Sequence, residues 1–322
     1  MKAIIIDKPG GPEVLTYRET PSVKPGKREV LVKVTAAGVN FMDIGTRQGN
    51  LWKDTEYPQT LGVEGAGYVL QVGEHVSDFS IGQRVSWAYA PGSYAEEVVV
   101  PEDALVAIPD VVDDYTAASI MMQGLTASHF ATDFYPIQPG DIALVHAAAG
   151  GLGLLLTQII KLRGGKVIGR VSSKDKVAHA IEAGADHVIV DSTGSFSDEV
   201  RKLTNGTGVN VVYDGSGPAT FQASIDSLGV SGTFCWYGPV LGAPAPLEIM
   251  SLPKSIKIGY AVYSHHVNTP ELLRKHTAQL FDWYISGKLN IKSGGHYQLS
   301  DANLAHSDME SRKSSGKLLL IP

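Results

Sequence analysis

The stretch from Ile142 to Tyr237 constrains the fold most, because short apolar runs alternate there with helical segments. The runs are Ile142–His146, Val167–Val171, His187–Val190, Val209–Tyr213 and Gly232–Tyr237. Between them, 152–163, 174–183, 197–204 and 218–228 carry apolar residues at helical spacing. Consecutive strand–helix units close through right-handed crossovers into a parallel sheet. Strands covered by helices on both faces must be apolar throughout, and these are.

The turn after the first run carries the chemistry. Asp141-Ile-Ala-Leu-Val-His-Ala-Ala-Ala-Gly-Gly-Leu-Gly-Leu passes from strand directly into helix. Ala148, Gly150 and Gly153 take the three places of a G-x-G-x-x-G pattern, with Gly151 and Leu152 between the last two. Small residues let the backbone approach a pyrophosphate, and Gly153 lets the helix pack on the strand. The helix N-terminus offers N–H groups and the positive end of its dipole to the phosphates. In this context the pattern predicts a doubly wound, dinucleotide-binding domain of Rossmann type. The alternative is a tight turn without a ligand.

The end of the second strand selects the dinucleotide. An NAD site usually has an Asp or Glu there for the ribose 2′-hydroxyl. Here the chain reads Gly169-Arg170-Val171-Ser172-Ser173-Lys174-Asp175-Lys176. Hydroxyls and cations replace the acid and suit a 2′-phosphate through charge-assisted hydrogen bonds. Asp175 is the dissenting residue and reads as part of a helix start. The cluster favours NADPH over NADH.

Outside this region the texture is mixed. The first 110 residues read as strands and turns, including 29–35, Tyr68–Val72, Arg84–Trp87 and Ala95–Val100. Residues 115–134 and 270–287 read as helices, and Lys317–Ile321 as a closing strand. The similar texture of the two ends predicts an α/β protein whose Rossmann domain, 125–258, is inserted into a β-rich domain of 1–124 and 259–322.

The 322-residue chain has net charge -6 and no basic stripe, so nucleic acid is not an expected partner. No apolar run reaches the roughly 18 residues a membrane helix needs. The single cysteine, Cys235, allows no internal disulfide, fits a cytoplasmic protein and reads as a buried strand residue.

Gly38-Val-Asn-Phe-Met-Asp43, Leu61-Gly-Val-Glu-Gly-Ala-Gly67 and the glycine turn together resemble the medium-chain dehydrogenase/reductase superfamily. Its zinc alcohol dehydrogenases hold the metal with a Cys near the position of Asn40 and a His at that of Val63. Asn and Val cannot replace a thiolate and an imidazole on zinc, so no metal is expected. With Met121-Met-Gln-Gly-Leu-Thr126, Val211-Val-Tyr-Asp214 and Gly316-Lys-Leu-Leu-Leu-Ile-Pro322, the chain is most similar to the zeta-crystallin-like quinone oxidoreductases.

That resemblance implies a GroES-like catalytic domain and a homodimer joined around Ile256–Ser264. It implies cofactor contacts at Asn40, Thr126, Ala148, Gly150, Gly151, Leu152, Gly153, Ser173, Lys176, Tyr237, Gly238 and Arg312, to which the charge pattern of the strand end adds Ser172. Asn40 and Thr126 would lie at the nicotinamide end and are the candidate catalytic residues. The chain departs from the family in lacking tyrosines after Asn40, where an aromatic returns only at Trp52, and in lacking a Tyr near Asp191. Segments 44–56 and 240–250 are expected to shape the substrate pocket.

Without a metal to polarise an alcohol, reduction of an electron-poor acceptor is the expected chemistry. The acceptor is a small molecule: a quinone, or alternatively the C=C bond of an enone, alkenal or enoyl thioester. A crystallin-like NADPH binder with little catalysis is the non-enzyme alternative. No general acid stands out. Tyr89, Tyr94, His146 and Glu64 read as structural, and His265 and His266 as surface residues facing opposite ways.

Overall fold

The computed structural model describes residues 1–51, 56–242 and 245–322. The chain forms two compact units. One comprises Met1–Leu125, Val267–Ser286 and Ile291–Pro322; the other comprises Thr126–His266 and Gly287–Asn290.

The second unit is built on a six-stranded parallel sheet. Across the sheet the strands are His187–Val190, Lys166–Val171, Ile142–Val145, Val209–Asp214, Leu228–Trp236 and Lys257–Tyr260. Sequence order therefore reverses between Ile142–Val145 and Val209–Asp214, which pair directly. Ligands of such sheets bind at the carboxyl ends of the strands beside this reversal. Leu144, Ile168, Phe196, Val200, Val212 and Phe234 form the buried core on one face. Each such side chain contributes about 1.5–3 kcal/mol of burial.

The expected boundary at 258/259 cuts through the last strand. Lys257–Tyr260 pairs in register with Thr233–Trp236, so the second unit runs on to His266. The alternation of Ile256, Ile258, Tyr260 and Val262 reads as a strand in the sequence, and that strand belongs to the parallel sheet, so the boundary falls after it.

The first unit carries two sheets. The larger runs Ser293–Gln298, Lys317–Ile321, Glu29–Gly38, Glu64–Val72, Arg84–Ala88 and Leu105–Ala107, with Glu97–Pro101 also pairing to Glu29–Gly38. The smaller joins Thr16–Glu19, Lys2–Ile6 and Gln59–Thr60. Gly67 is required where the strands cross closely: a Cβ there would stand 1.9 Å from the Lys33 carbonyl oxygen. Among the described residues, no helix is long and apolar enough to cross a membrane.

Candidate active site

The glycine turn has the geometry a diphosphate cradle needs. The first parallel strand ends at Val145, and the helix Gly151–Leu162 begins after Gly150. Ala148 is buried and its N–H donates to the Arg170 carbonyl at 3.0 Å, anchoring the turn to the next strand. The Gly150 N–H closes the turn on the Ala147 carbonyl at 2.8 Å. Ala147 takes a left-handed φ of 48°, a strained conformation of the kind that functional turns retain. A helix leaves its first N–H groups without intrahelical acceptors, so Gly151, Leu152 and Gly153 present their amides at the carboxyl edge of the sheet. A Cβ on Gly153 would come within 2.3 Å of the Ala147 carbonyl oxygen, so this place admits only glycine.

The neighbouring strand ends in Val171, followed by Ser172, Ser173 and a short turn Lys174–Lys176. Arg170 leaves the group of phosphate candidates. It is buried and its guanidinium pairs with Asp191 at 2.8 Å. Ser172, Ser173, Lys174 and Lys176 remain at the strand end. The Ser173 hydroxyl engages the Asp175 carboxylate, and this hydrogen bond holds Asp175 below the usual carboxylate range. The dissenting acid is thus occupied by the hydroxyl beside it. Tyr237 and Gly238 follow the fifth strand, and the Tyr237 N–H donates to the Asp214 carbonyl at 3.1 Å. Hence Ala148, Gly150–Gly153, Ser172, Ser173, Lys176, Tyr237 and Gly238 all follow carboxyl ends of one parallel sheet.

Beneath the turn lies a buried polar relay. An arginine only donates, so the Arg170 guanidinium donates a hydrogen bond to His146 Nδ1 at 3.4 Å. His146 Nε2–H then donates to Ser224 Oγ at 3.0 Å, and the Ser224 hydroxyl donates to Asp214 Oδ2 at 2.7 Å. Burial first, and then the arginine, push the imidazole down to about 4, against the pull of Asp214. His146 is therefore a neutral structural link, as its sequence position suggests.

The first unit contains a relay of the same type. Arg47 Nη1 donates to His306 Nδ1 at 3.1 Å, Nε2–H faces the Tyr94 hydroxyl at 3.1 Å, and that hydroxyl donates to Asp43 Oδ2 at 2.9 Å. Tyr94 is fully buried and structural. Burial and the Arg47 charge push His306 down to about 3, and burial pushes Asp43 up to about 7. The two histidines have folded values below their unfolded one, so their stability is present above about pH 6.5 and lost on acidification. Asp43 has the opposite sign, since its raised value costs stability as pH climbs from 3.8 towards 7. Two groups against one leave a net loss on acidification between about pH 6.5 and 4. Substituting His306→Gln is expected to flatten that decline, measured as urea midpoints across the window. An unchanged slope would rule out His306 as a contributor.

Asn40 follows the strand Glu29–Gly38 by two residues and caps the helix Phe41–Arg47, with Asp43 Oδ2 accepting its N–H at 2.9 Å. Its side-chain amide donates to Glu64 Oε1 at 2.8 Å and accepts from Lys317 Nζ at 2.9 Å. Lys317 Nζ also pairs with Glu64, whose other oxygen accepts the Met122 N–H at 2.8 Å. All three side chains are buried. Most of the hydrogen-bonding capacity of Asn40 is thus committed to holding an ammonium–carboxylate pair. Sequence reading gave Glu64 a structural role but missed Lys317. A lysine heading an apolar strand ordinarily keeps its amine in water, and only the missing partner 253 positions away explains its burial.

The remaining candidates lie on other elements. Thr126 lies on the helix Asp114–His129 and opens the second unit; Arg312, with a left-handed φ of 56°, follows the helix Ala302–Glu310 of the first. Tyr89 has a left-handed φ of 62° after the strand Arg84–Ala88. Cys235 is buried, which pushes its thiol up. His266 is a correction. It is buried and its Nδ1 meets the Asp133 carboxylate, because Tyr263–His265 coils into a turn where an extended strand is expected. His265 alone is on the surface. Trp52, with residues 53–55 and 243–244 of the two expected pocket segments, lies outside the described residues.

An alcohol dehydrogenase GroES-like domain matches residues 26–110, and a zinc-binding dehydrogenase domain matches 151–281. Fold and site together define a dehydrogenase/reductase of the medium-chain type. A quinone oxidoreductase of Pseudomonas aeruginosa is 37% identical over 97% of each chain. A 2-haloacrylate reductase of a Burkholderia species is 34% identical, over 99% of this chain and 98% of the relative. A mycobacterial protein solved in complex with NADPH is 39% identical, superposing over 100% of both chains with a TM-score of 0.96. The chain belongs to the zinc-free quinone oxidoreductase group of the medium-chain dehydrogenase/reductase superfamily, and it is an oxidoreductase.

Proposed function

We propose that this protein reduces quinones with NADPH. The observation that carries the cofactor is the strand end at Val171, where Ser172, Ser173 and Lys176 stand in place of an acid while Arg170 is held back by Asp191. NADPH binding by the mycobacterial relative supports the same reading. The amides of Gly151, Leu152 and Gly153 take the diphosphate, and Lys176 takes the 2′-phosphate together with Ser173, whose hydroxyl turns from Asp175 to it. Tyr237 and Gly238 border the same sheet edge. Asn40, Thr126 and Arg312 are proposed contacts resting on the family resemblance.

Bound in this way, the cofactor supplies hydride to an electron-poor acceptor. The protein contributes binding, orientation and exclusion of water. Asn40 and Val63 cannot form a catalytic zinc site, so alcohol oxidation is disfavoured by the donor set itself. The names of the relatives support a quinone as acceptor. The 2-haloacrylate reductase favours a second reading, reduction of an activated C=C bond. Initial rates of NADPH oxidation with a quinone panel and an enone panel separate the two. Turnover with enones alone would replace the first reading by the second.

Lys176→Ala is expected to weaken NADPH by about 1.5–3 kcal/mol, roughly ten- to a hundredfold, with NADH almost unaffected. Equal losses for both coenzymes would sink the 2′-phosphate assignment.

A homodimer is proposed through the outer edge of Lys257–Tyr260. Among the described residues no strand pairs with that edge, and Tyr260 is exposed there. Ile256 and Ile258 pack towards the core instead of facing a partner. A monomer mass by sedimentation would exclude this arrangement.

A further inference from the structure

We propose that His129, Asp133 and His266 form a divalent-metal site of the class that takes Zn²⁺. His129 ends the helix Asp114–His129, and Phe130–Phe134 continues it as a π turn, closed by Tyr135 N–H donating to the Phe130 carbonyl at 3.1 Å. Residues four apart on a continuous helix share a face, so His129 and Asp133 point the same way. Such π turns are frequent at functional sites. The turn after Tyr263–His265 delivers His266 to that face.

The geometry supports a shared ligand. The three potential ligand atoms lie within 4.8 Å of one another. The imidazoles of His129 and His266 stand 5.2 Å apart at 37°, and Asp133 meets His266 Nδ1 directly. Zinc bonds of about 2.0–2.2 Å set tetrahedral ligand atoms roughly 3.3 Å apart, inside the 4.8 Å that already encloses these three.

Two imidazoles and a carboxylate are the ligand types that suit zinc among the borderline cations. The Asp133 side chain is 55% exposed, which gives the ion a route in and leaves a coordination place for water. Thr132 supplies an outer hydrogen bond, its hydroxyl lying 3.3 Å from Asp133 Oδ1 while also donating to the Ser128 carbonyl at 2.7 Å. All these residues belong to the second unit, near the beginning and end of its long segment Thr126–His266. The ion would fasten those ends together. The site is separate from positions 40 and 63 and does not depend on the proposed reaction.

The test uses untagged, chelator-treated full-length protein. Zn²⁺ is titrated by calorimetry, Co²⁺ by its visible absorption, and the thermal midpoint is followed with and without Zn²⁺. Saturable binding of about one equivalent is expected, with a higher midpoint. Asp133→Asn, at an exposed position, and His129→Gln should each weaken binding at least about tenfold, as loss of one ligand from a small set predicts. Far-UV circular dichroism of each variant confirms that it is folded. No saturable binding would overturn the proposal. So would equal affinity in the folded variants, because the ion would then sit on other histidines.

Discussion

Lys317→Met is expected to destabilise the protein by about 3–5 kcal/mol, because it leaves the buried Glu64 side chain without its cationic partner. The Glu64 carboxylate has three donors: Lys317, the Asn40 amide and the Met122 backbone. Removing the ammonium leaves the buried Glu64 side chain with two neutral donors only. The double variant Glu64→Gln, Lys317→Met should recover more than half of the loss, since removing both charges also removes their desolvation cost. Urea unfolding of both proteins at neutral pH measures the difference. A single variant as stable as the parent would mean that water reaches the pair. Because Asn40 is held by the same two residues, NADPH oxidation should fall in the single variant even where it remains folded.

The second large effect is expected at the glycine turn. Gly153→Ala places a Cβ 2.3 Å from the Ala147 carbonyl oxygen and 2.8 Å from Ala148 Cα, both backbone atoms that cannot rotate away. Helix and turn must separate, at a cost of about 1–3 kcal/mol or more in stability. Cofactor affinity should drop about tenfold or more, because the amides that cradle the diphosphate move with the helix. Gly150→Ala is the control. Its φ is -78° and its nearest neighbour would stand at 3.2 Å, so it should fold nearly as well as the parent. Thermal midpoints and NADPH titration of the two variants report the order. Equal damage from both would show that the turn can yield as a whole.

The parallel sheet was legible because its strands are buried on both faces and separated by helices of ordinary length. The run Ile142–His146 and its glycine turn needed no tertiary information, since a phosphate-binding turn is a local backbone arrangement. The same holds for Ser172, Ser173 and Lys176, which lie where one strand ends. What escaped was non-local. Lys317 meets Asn40 and Glu64 only when the last strand pairs beside Glu29–Gly38. Arg170 looked like a phosphate ligand until folding gave it Asp191. The strand around Ile256–Val262 was legible from its alternation, but which unit it belongs to was decided only by its pairing with Thr233–Trp236. His266 was read as a surface residue because adjacent histidines were assumed to be extended, whereas a turn carries one of them inward to Asp133.

The division of labour within Arg170–Lys176 has a practical consequence. The buried half of this stretch is a fixed seat: Arg170 locks onto Asp191 and its carbonyl ties down Ala148. The other half, half-buried at Ser172, Ser173 and Lys176, is an interchangeable lip. Coenzyme preference can therefore drift, or be redesigned, at Ser172, Ser173 and Lys176 without drawing on the stability of the sheet. A substitution at Arg170 would disturb the seat and the diphosphate turn together.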